Sequence, residues 1–279
     1  MNIFERFLYF LEGKMQIPTS FGWFHLMFVG LVILFTIFLC IKFRDCDDKI
    51  FRRIALITWI VILVLEVLKQ LVFAFEYDGN VVTWSYAWYV FPYQLCDTPL
   101  YVLPFIAFLK ENKIRDTLIS YSSFFAIFGG LVVFIYPNDV FTTTTLINFQ
   151  TMIHHGSQIA LGIFFATRHR RSFKLEFFLK GIPVFAILVS IAIILNESMY
   201  GYVSTNAPGD VFNAFYISRH FPCTLPILSE IYKAVPYIVF CLIYILGFTI
   251  VAFIIYCIEK LIISLVGRKA SVNAEQNNA

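Results

Sequence analysis

Long runs of apolar residues alternate with short polar segments along most of the chain. Seven runs reach 20 residues or more, at approximately 22–42, 54–75, 88–109, 117–136, 144–167, 176–195 and 236–258. A helix of about 20 residues crosses a hydrocarbon core of about 30 Å, whereas a membrane β-strand needs only about 9–11 residues. The pattern therefore predicts an all-α membrane protein built as a seven-transmembrane helix bundle.

Two shorter segments flank the predicted bundle, which covers residues 22–258. In residues 1–21, apolar positions such as Phe4, Leu8 and Leu11 recur at helical spacing, so we expect this N-terminal segment to lie in the membrane interface. Residues 259–279 follow the last run and are predicted to form a cytoplasmic tail. The chain shows neither an internal repeat nor a separate extramembrane domain.

Composition agrees with membrane insertion. The chain is 59% hydrophobic and only 14% charged, whereas soluble domains carry about 25% charged residues. We therefore expect a multi-pass integral membrane protein, in the plasma membrane if the source is bacterial.

The basic residues are distributed unevenly between the two sides of the predicted bundle. Fifteen of the 21 Lys and Arg residues follow the first, third, fifth and seventh runs, and four lie on the other side. Basic loops stay in the cytoplasm, so the N-terminus is predicted outside and the C-terminus inside. Because topology accounts for these charges, we predict no nucleic-acid partner.

The third run contains the sequence YQLCDTPLYVLP, residues 93–104, which is unusually polar for a membrane anchor. Gln94, Cys96 and Asp97 lie close together, and Pro99 and Pro104 follow them. Proline weakens a helix and frees backbone groups, which membrane proteins tolerate where the backbone lines a cavity. This segment is therefore the first candidate for a functional site.

Polar residues in three predicted helices fall at similar depths. At 1.5 Å per residue, Cys96, His154, Glu66 and Lys69 lie about 9–15 Å inside the outer ends of their runs. Charged and polar groups at such depth usually face the bundle interior. Gln158 shares a helix face with His154, and Glu66 shares one with Lys69.

Each of these residues also has a purely structural interpretation. A membrane cysteine often serves packing, and Glu66 with Lys69 is as consistent with a structural ion pair as with a functional one. Adjacent histidines point about 100° apart on a helix, so His154 and His155 do not readily chelate one ion. We predict neither a metal nor a cofactor.

The segments YQLCDTPLYVLP and NFQTMIHHGSQIAL, residues 148–161, give the chain a resemblance to the YwaF-type integral membrane family over most of its length. Animal relatives of that family are described as cysteine-dependent phospholipid acyltransferases. The resemblance implies Cys96 as nucleophile and His154, 58 residues later, as base. His155 remains the alternative base.

The loop between the sixth and seventh runs, STNAPGDVFNAFYISRHFPCTLP, is long and partly apolar. Phe212, Phe215 and Tyr216 in this loop could cover the mouth of a cavity. The possible supporting residues for the site are His155, Asp97, Gln94, Glu66, Lys69, Gln158 and Asn213.

The expected function is acyl transfer between lipids through a cysteine thioester, with a membrane phospholipid or lysophospholipid as partner. Two other classes stay open. One is a transporter or ion or proton channel that uses Glu66, Lys69 and His154. The other is a seven-helix receptor or sensor with an outward-facing pocket.

Overall fold

The computed structural model of the chain is helical apart from one short hairpin, and it describes residues 2–77, 81–137 and 140–276, with side chains as far as Val266. The helices within these ranges are α1 Ile3–Leu11, α2 Trp23–Lys42, α3 Asp48–Val72, α4 Pro99–Phe108, α5 Lys113–Tyr121, α6 Ile127–Ile135, α7 Thr145–Arg168, α8 Leu175–Asn206, α9 Leu228–Ala234 and α10 Tyr237–Gln276. The predicted all-α fold is therefore confirmed.

Five helical stretches are long and apolar enough to cross a membrane. They are Trp23–Lys42, Asp48–Val72, Lys113–Ile135, Leu175–Asn206 and Tyr237–Val266. They correspond to the first, second, fourth, sixth and seventh predicted runs. The full set of seven spans and the external N-terminus stay predictions.

The third run is not the continuous helix that the apolar pattern predicted. It consists of two 3₁₀ turns, Trp88–Val90 and Leu95–Asp97, followed by the ten-residue α4. Pro92 and Pro99 account for the break, because proline lacks the N–H of a helical hydrogen bond and disfavours helix at the preceding residue. The predicted depth of Cys96 assumed a helical rise and therefore does not hold.

The fifth run forms α7, which lies at the centre of the bundle. It packs against α2, α3 and α6, and most of its residues are buried. Small residues permit this close packing. A Cβ added to Gly130 on α6 would lie 2.6 Å from the carbonyl oxygen of His155 on α7. Because α7 faces protein, it can carry polar side chains that a lipid-facing helix could not.

The segments around the bundle differ from the sequence-based boundaries. Helix α3 ends at Val72, and an antiparallel hairpin of strands β1 Phe75–Tyr77 and β2 Val82–Trp84 follows it. Helix α10 runs past residue 258, the predicted end of the bundle. Met1 and the last three residues of the predicted tail lie outside the described residues.

Candidate functional site

Cys96 lies in a single 3₁₀ turn that leads into α4. The backbone N–H of Gln94 donates to Asp97 Oδ2 at 2.7 Å, and the Thr98 hydroxyl donates to the Leu95 carbonyl at 2.7 Å. These two bonds satisfy backbone groups that the broken helix leaves free. The Cys96 side chain is half-buried, and its Sγ lies 4.0 Å from Asp97 Oδ1.

Two side chains of α7 hold the backbone of Cys96. His154 Nε2 lies 2.8 Å from the Cys96 carbonyl oxygen, and Gln158 Nε2 donates to the same oxygen. His154 Nδ1 and Gln158 Oε1 are buried and have no hydrogen-bond partner among the described residues. His154 and Gln158 therefore share a helix face, as predicted. Both side chains contact the carbonyl oxygen of Cys96, and the imidazole makes no hydrogen bond to the thiol.

Glu66 on α3 is the most heavily partnered carboxylate in this region. It accepts from Lys69 Nζ at 3.2 Å, from Gln70 Nε2 at 2.7 Å and from Gln150 Nε2 of α7 at 3.2 Å. Only 3% of Glu66 is exposed. A carboxyl group with this little contact with solvent needs such partners, and the bond from Gln150 links this group on α3 to α7.

Lys69 connects the Glu66 cluster to the Cys96 turn. Its ammonium lies within electrostatic range of the carboxylates of Asp97 and Glu66 and of the Cys96 sulfur. Asp97 is itself buried. One cation therefore lies near two buried carboxylates and the thiol, and its charge, unlike theirs, favours a thiolate.

Tyr86 extends this polar network toward the hairpin side of the site. Its hydroxyl donates to Gln70 Oε1 at 2.6 Å, while Gln70 Nε2 also donates to the Val90 carbonyl at 3.0 Å. Burial raises the pKa of Tyr86 to about 12. The phenol therefore keeps its proton at neutral pH and acts as a fixed donor.

The long loop between α8 and α9 packs onto the Cys96 segment. Gln94 Nε2 donates to the Asn213 carbonyl at 2.9 Å, and Asn213 Oδ1 accepts from the Ser218 N–H at 2.9 Å. Asn196 of α8 bonds both the N–H and the carbonyl of Ala214, at 2.8 and 3.0 Å. These bonds fix the loop to the bundle.

Two aromatic residues of the same loop pack against the segment that precedes the Cys96 turn, and the predicted cover over a cavity mouth stays a prediction. Phe212 and Phe215 are each 1% exposed, whereas Tyr216 is 37% exposed. The ring of Phe212 lies 5.2 Å from that of Phe91, and the ring of Phe215 lies 5.6 Å from that of Tyr93. Phe215 adopts a φ of 57°, a left-handed conformation that costs free energy for a bulky residue and that its packing compensates.

His155 belongs to a different environment from His154. Its Nδ1 lies 2.7 Å from the Thr151 carbonyl of its own helix, and the two imidazole centroids are 5.4 Å apart. Of the two histidines, His154 is the one whose ring nitrogen reaches Cys96.

The structure brings most of the predicted site residues into one cluster. Its members are Cys96, Asp97, Gln94, His154, Gln158, Glu66 and Lys69, with Asn213 joined through its backbone. His155 is not part of it. Sequence reasoning missed Gln150, although Gln150 lies four residues before His154 on the same helix face, and this spacing could have revealed it.

Two spaces meet Ser157 of α7. A small void beside His154 and Gln158 has about 10 Å³ of free volume, roughly enough for one water. A larger groove of about 320 Å³ lies between α2, α3 and α7 and is lined mostly by apolar side chains. Ser157 borders both spaces, whereas the residues that line the groove include none of the Cys96 cluster.

In the part of the chain that the structure describes, no group of three or more His, Cys, Asp or Glu residues is arranged to hold a metal ion. The fold and the site together define an integral membrane protein with a buried cluster of charged and polar residues inside a bundle of apolar helices.

Comparison with models of known protein families identifies the family within this class. Residues 20–260 match the model of the TMEM164 family, and the chain belongs to that family. No curated protein and no solved structure matches the chain significantly.

Proposed function

We propose that this protein is a membrane-embedded acyltransferase that moves a fatty acyl group between lipids through a thioester on Cys96. The observation that carries the proposal is the contact of His154 with Cys96 inside a buried polar cluster. The resemblance to the YwaF-type family, whose animal relatives are described as cysteine-dependent phospholipid acyltransferases, supports the same chemistry.

The proposed reaction has two steps. His154 accepts the Cys96 proton, and the thiolate attacks the carbonyl carbon of a phospholipid ester. The ester C–O bond breaks, the lysolipid oxygen takes the proton from His154, and the acyl group remains on sulfur. The hydroxyl of an acceptor lysophospholipid then gives its proton to His154 and attacks the thioester, the C–S bond breaks, and the departing thiolate takes the proton back from His154 to regenerate the thiol.

This chemistry requires a small rearrangement at Cys96. In the structure His154 Nε2 is engaged with the Cys96 carbonyl oxygen, at 2.8 Å. Because a carbonyl oxygen only accepts, Nε2 carries the proton in this contact, and the imidazole must leave this oxygen and present an unprotonated nitrogen to the sulfur of the same residue. Catalytic hydrogen bonds commonly tighten only when substrate is bound. Lys69, within electrostatic range of the sulfur, then stabilises the thiolate.

The groove between α2, α3 and α7 offers a place for the donor acyl chain. Leu31, Ile57 and Val61 line it and are also exposed on the lipid-facing side of the bundle. A chain that enters the groove from the bilayer would approach Ser157, which also borders the void beside His154. The ester of that lipid would then lie toward the Cys96 turn.

The nucleophile is tested by mass spectrometry of purified protein incubated with labelled phospholipid. We expect wild type to gain a hydroxylamine-labile acyl adduct on Cys96 and the Cys96→Ser variant to gain none. Cys241, which is also half-buried, supplies the matched control, and Cys241→Ser should behave as wild type. Normal acyl transfer by Cys96→Ser would exclude the covalent mechanism.

The base is tested by comparing the two adjacent histidines. His154→Ala should slow thioester formation, because loss of the base lowers the thiolate fraction. His155→Ala should have the smaller effect, since His155 bonds its own helix. Equal effects of the two substitutions would contradict the assignment of His154.

A transporter or proton channel is the second candidate. The observation that favours it is the buried chain of Glu66, Lys69 and Asp97, because such groups form ion and proton paths in membrane proteins. Proteoliposomes with a pH-sensitive dye distinguish the two candidates. Proton flux that Cys96→Ser leaves intact and Glu66→Gln abolishes would favour transport. The receptor alternative has no comparable observation in its support.

We also propose that the chain crosses the membrane seven times with its N-terminus outside. In addition to the five long apolar stretches, α7 is 24 residues long, and α4 with the two preceding 3₁₀ turns supplies the remaining crossing. Irregular backbone is tolerated at membrane depth where protein encloses it, and Tyr93 and Asp97 in that crossing are buried. The asymmetry of basic residues supports the orientation.

A further inference from the structure

Glu259 is a buried carboxyl group far along α10, near the end of the bundle where α2 and α7 finish. It is 7% exposed, and neither of its oxygens has a hydrogen-bond partner among the described residues. It does not belong to the Cys96 cluster. A buried carboxylate without a partner is strongly unfavourable, so its retention calls for an explanation.

The cations next to Glu259 and Thr167 in the chain contact aromatic rings. Lys260 places its Nζ over the Tyr256 ring at 5.5 Å, and the Arg168 guanidinium lies over the Phe51 ring at 4.8 Å. The Thr167 hydroxyl oxygen accepts from the Cys40 thiol at 3.5 Å and can accept a second hydrogen bond. Among the residues whose side chains are described, no cation pairs with Glu259.

Glu259 instead lines a cavity of about 220 Å³ between α6, α7 and α10. The wall is almost entirely apolar, formed mainly by isoleucines, and Thr167 is its other polar side chain. Since a water molecule occupies about 30 Å³ of liquid, the cavity has room for a small group with part of a hydrocarbon chain.

We infer that this cavity binds the protonated primary amine of an amphiphile. The ammonium group donates to Glu259, and the hydrocarbon lies along the apolar wall. A –NH₃⁺ group has three donors, which suits two carboxylate oxygens and the Thr167 hydroxyl. A divalent cation fits poorly, because Ca²⁺ requires six to eight oxygen ligands and this wall offers few.

The proposal is tested on purified full-length protein with three ten-carbon probes: decylamine, decyltrimethylammonium and decanol. Decylamine should raise the unfolding temperature of wild type in a concentration-dependent way and more than the other two, which lack either the N–H donors or the charge. For Glu259→Gln the apparent affinity for decylamine should fall about tenfold or more, since a hydrogen bond to a charged group contributes about 1.5–3 kcal/mol. Glu176, an exposed carboxyl in the first turn of α8, supplies the control, and Glu176→Gln should bind as wild type.

A second measurement needs no variant. Dicyclohexylcarbodiimide, an apolar reagent that activates carboxyl groups, should couple bound decylamine to Glu259 as an amide with release of dicyclohexylurea, whereas with decanol only the carbodiimide adduct of Glu259 should form. Lack of the amide, or equal stabilisation by all three probes, would overturn the proposal. Two nanodisc compositions then distinguish the sources of the amine. Amide formation with ethanolamine phospholipid, and none with choline phospholipid, identifies a lipid headgroup, and amide formation with decylamine alone identifies a free amine.

Discussion

The ion pair between Glu66 and Lys69 allows a quantitative test of how the site is held together. The side chains are 5% and 17% exposed, and the closest oxygen and nitrogen are 3.2 Å apart. At that distance and an effective dielectric constant of about 20, two unit charges attract by about 5 kcal/mol. Lys69→Met keeps a similar side-chain length but removes the positive charge that Glu66 and Asp97 share.

We expect Lys69→Met to lower the free energy of unfolding by about 3–5 kcal/mol, because removing one partner of a buried pair leaves an uncompensated charge. Lys233 provides a matched control. It pairs with Glu230 at the same three-residue spacing, at 2.8 Å, but the two side chains are 64% and 75% exposed. Lys233→Met should therefore cost less than about 1 kcal/mol.

The assay is equilibrium unfolding in mixed micelles, followed by circular dichroism, for wild type, the two lysine variants and Glu66→Gln with Lys69→Met. Removing the charge of Glu66 as well should recover about 1 kcal/mol or more, since the two side chains are directly coupled. If Lys69→Met lowers the free energy of unfolding no more than Lys233→Met does, the buried pair of Glu66 and Lys69 contributes no more to stability than the exposed pair.

Three other predictions address packing, the groove and topology. Gly130→Ala should lower the free energy of unfolding by about 1–3 kcal/mol, because the new Cβ would lie 2.6 Å from the α7 backbone and overpack the contact. Gly201 has open space around it, so Gly201→Ala should be neutral or stabilising in the same thermal unfolding assay. Val61→Trp fills the groove and should slow the transfer of long acyl chains about tenfold in a chain-length series. Val64 is also exposed but lies outside the groove, so Val64→Trp should leave that rate unchanged. Equal transfer rates for the two variants would contradict the proposed chain path. Ser172→Cys should react with an impermeant maleimide only from the cytoplasmic side, and labelling from outside would reverse the predicted orientation.

The sequence by itself determined the class of fold and indicated most of the residues that cluster around Cys96. Runs of 20 or more apolar residues form few structures other than membrane helices. Lipid offers no hydrogen-bond partners, so every backbone polar group must be satisfied within the chain. The same cost explains why Glu66, Lys69 and His154 could be recognised. Polar groups are so unfavourable inside a membrane that each one indicates an enclosed position.

The tertiary structure alone decided how these groups are arranged. Composition cannot show that Pro92 and Pro99 divide the third run into 3₁₀ turns, because hydropathy averages over the window in which the break occurs. Nor can spacing along one helix show that His154 meets the carbonyl oxygen of Cys96 while His155 turns to its own helix. That outcome depends on the rotation of α7 about its axis, which packing against α2, α3 and α6 sets, and contacts between residues 58 positions apart have no local signature in the chain.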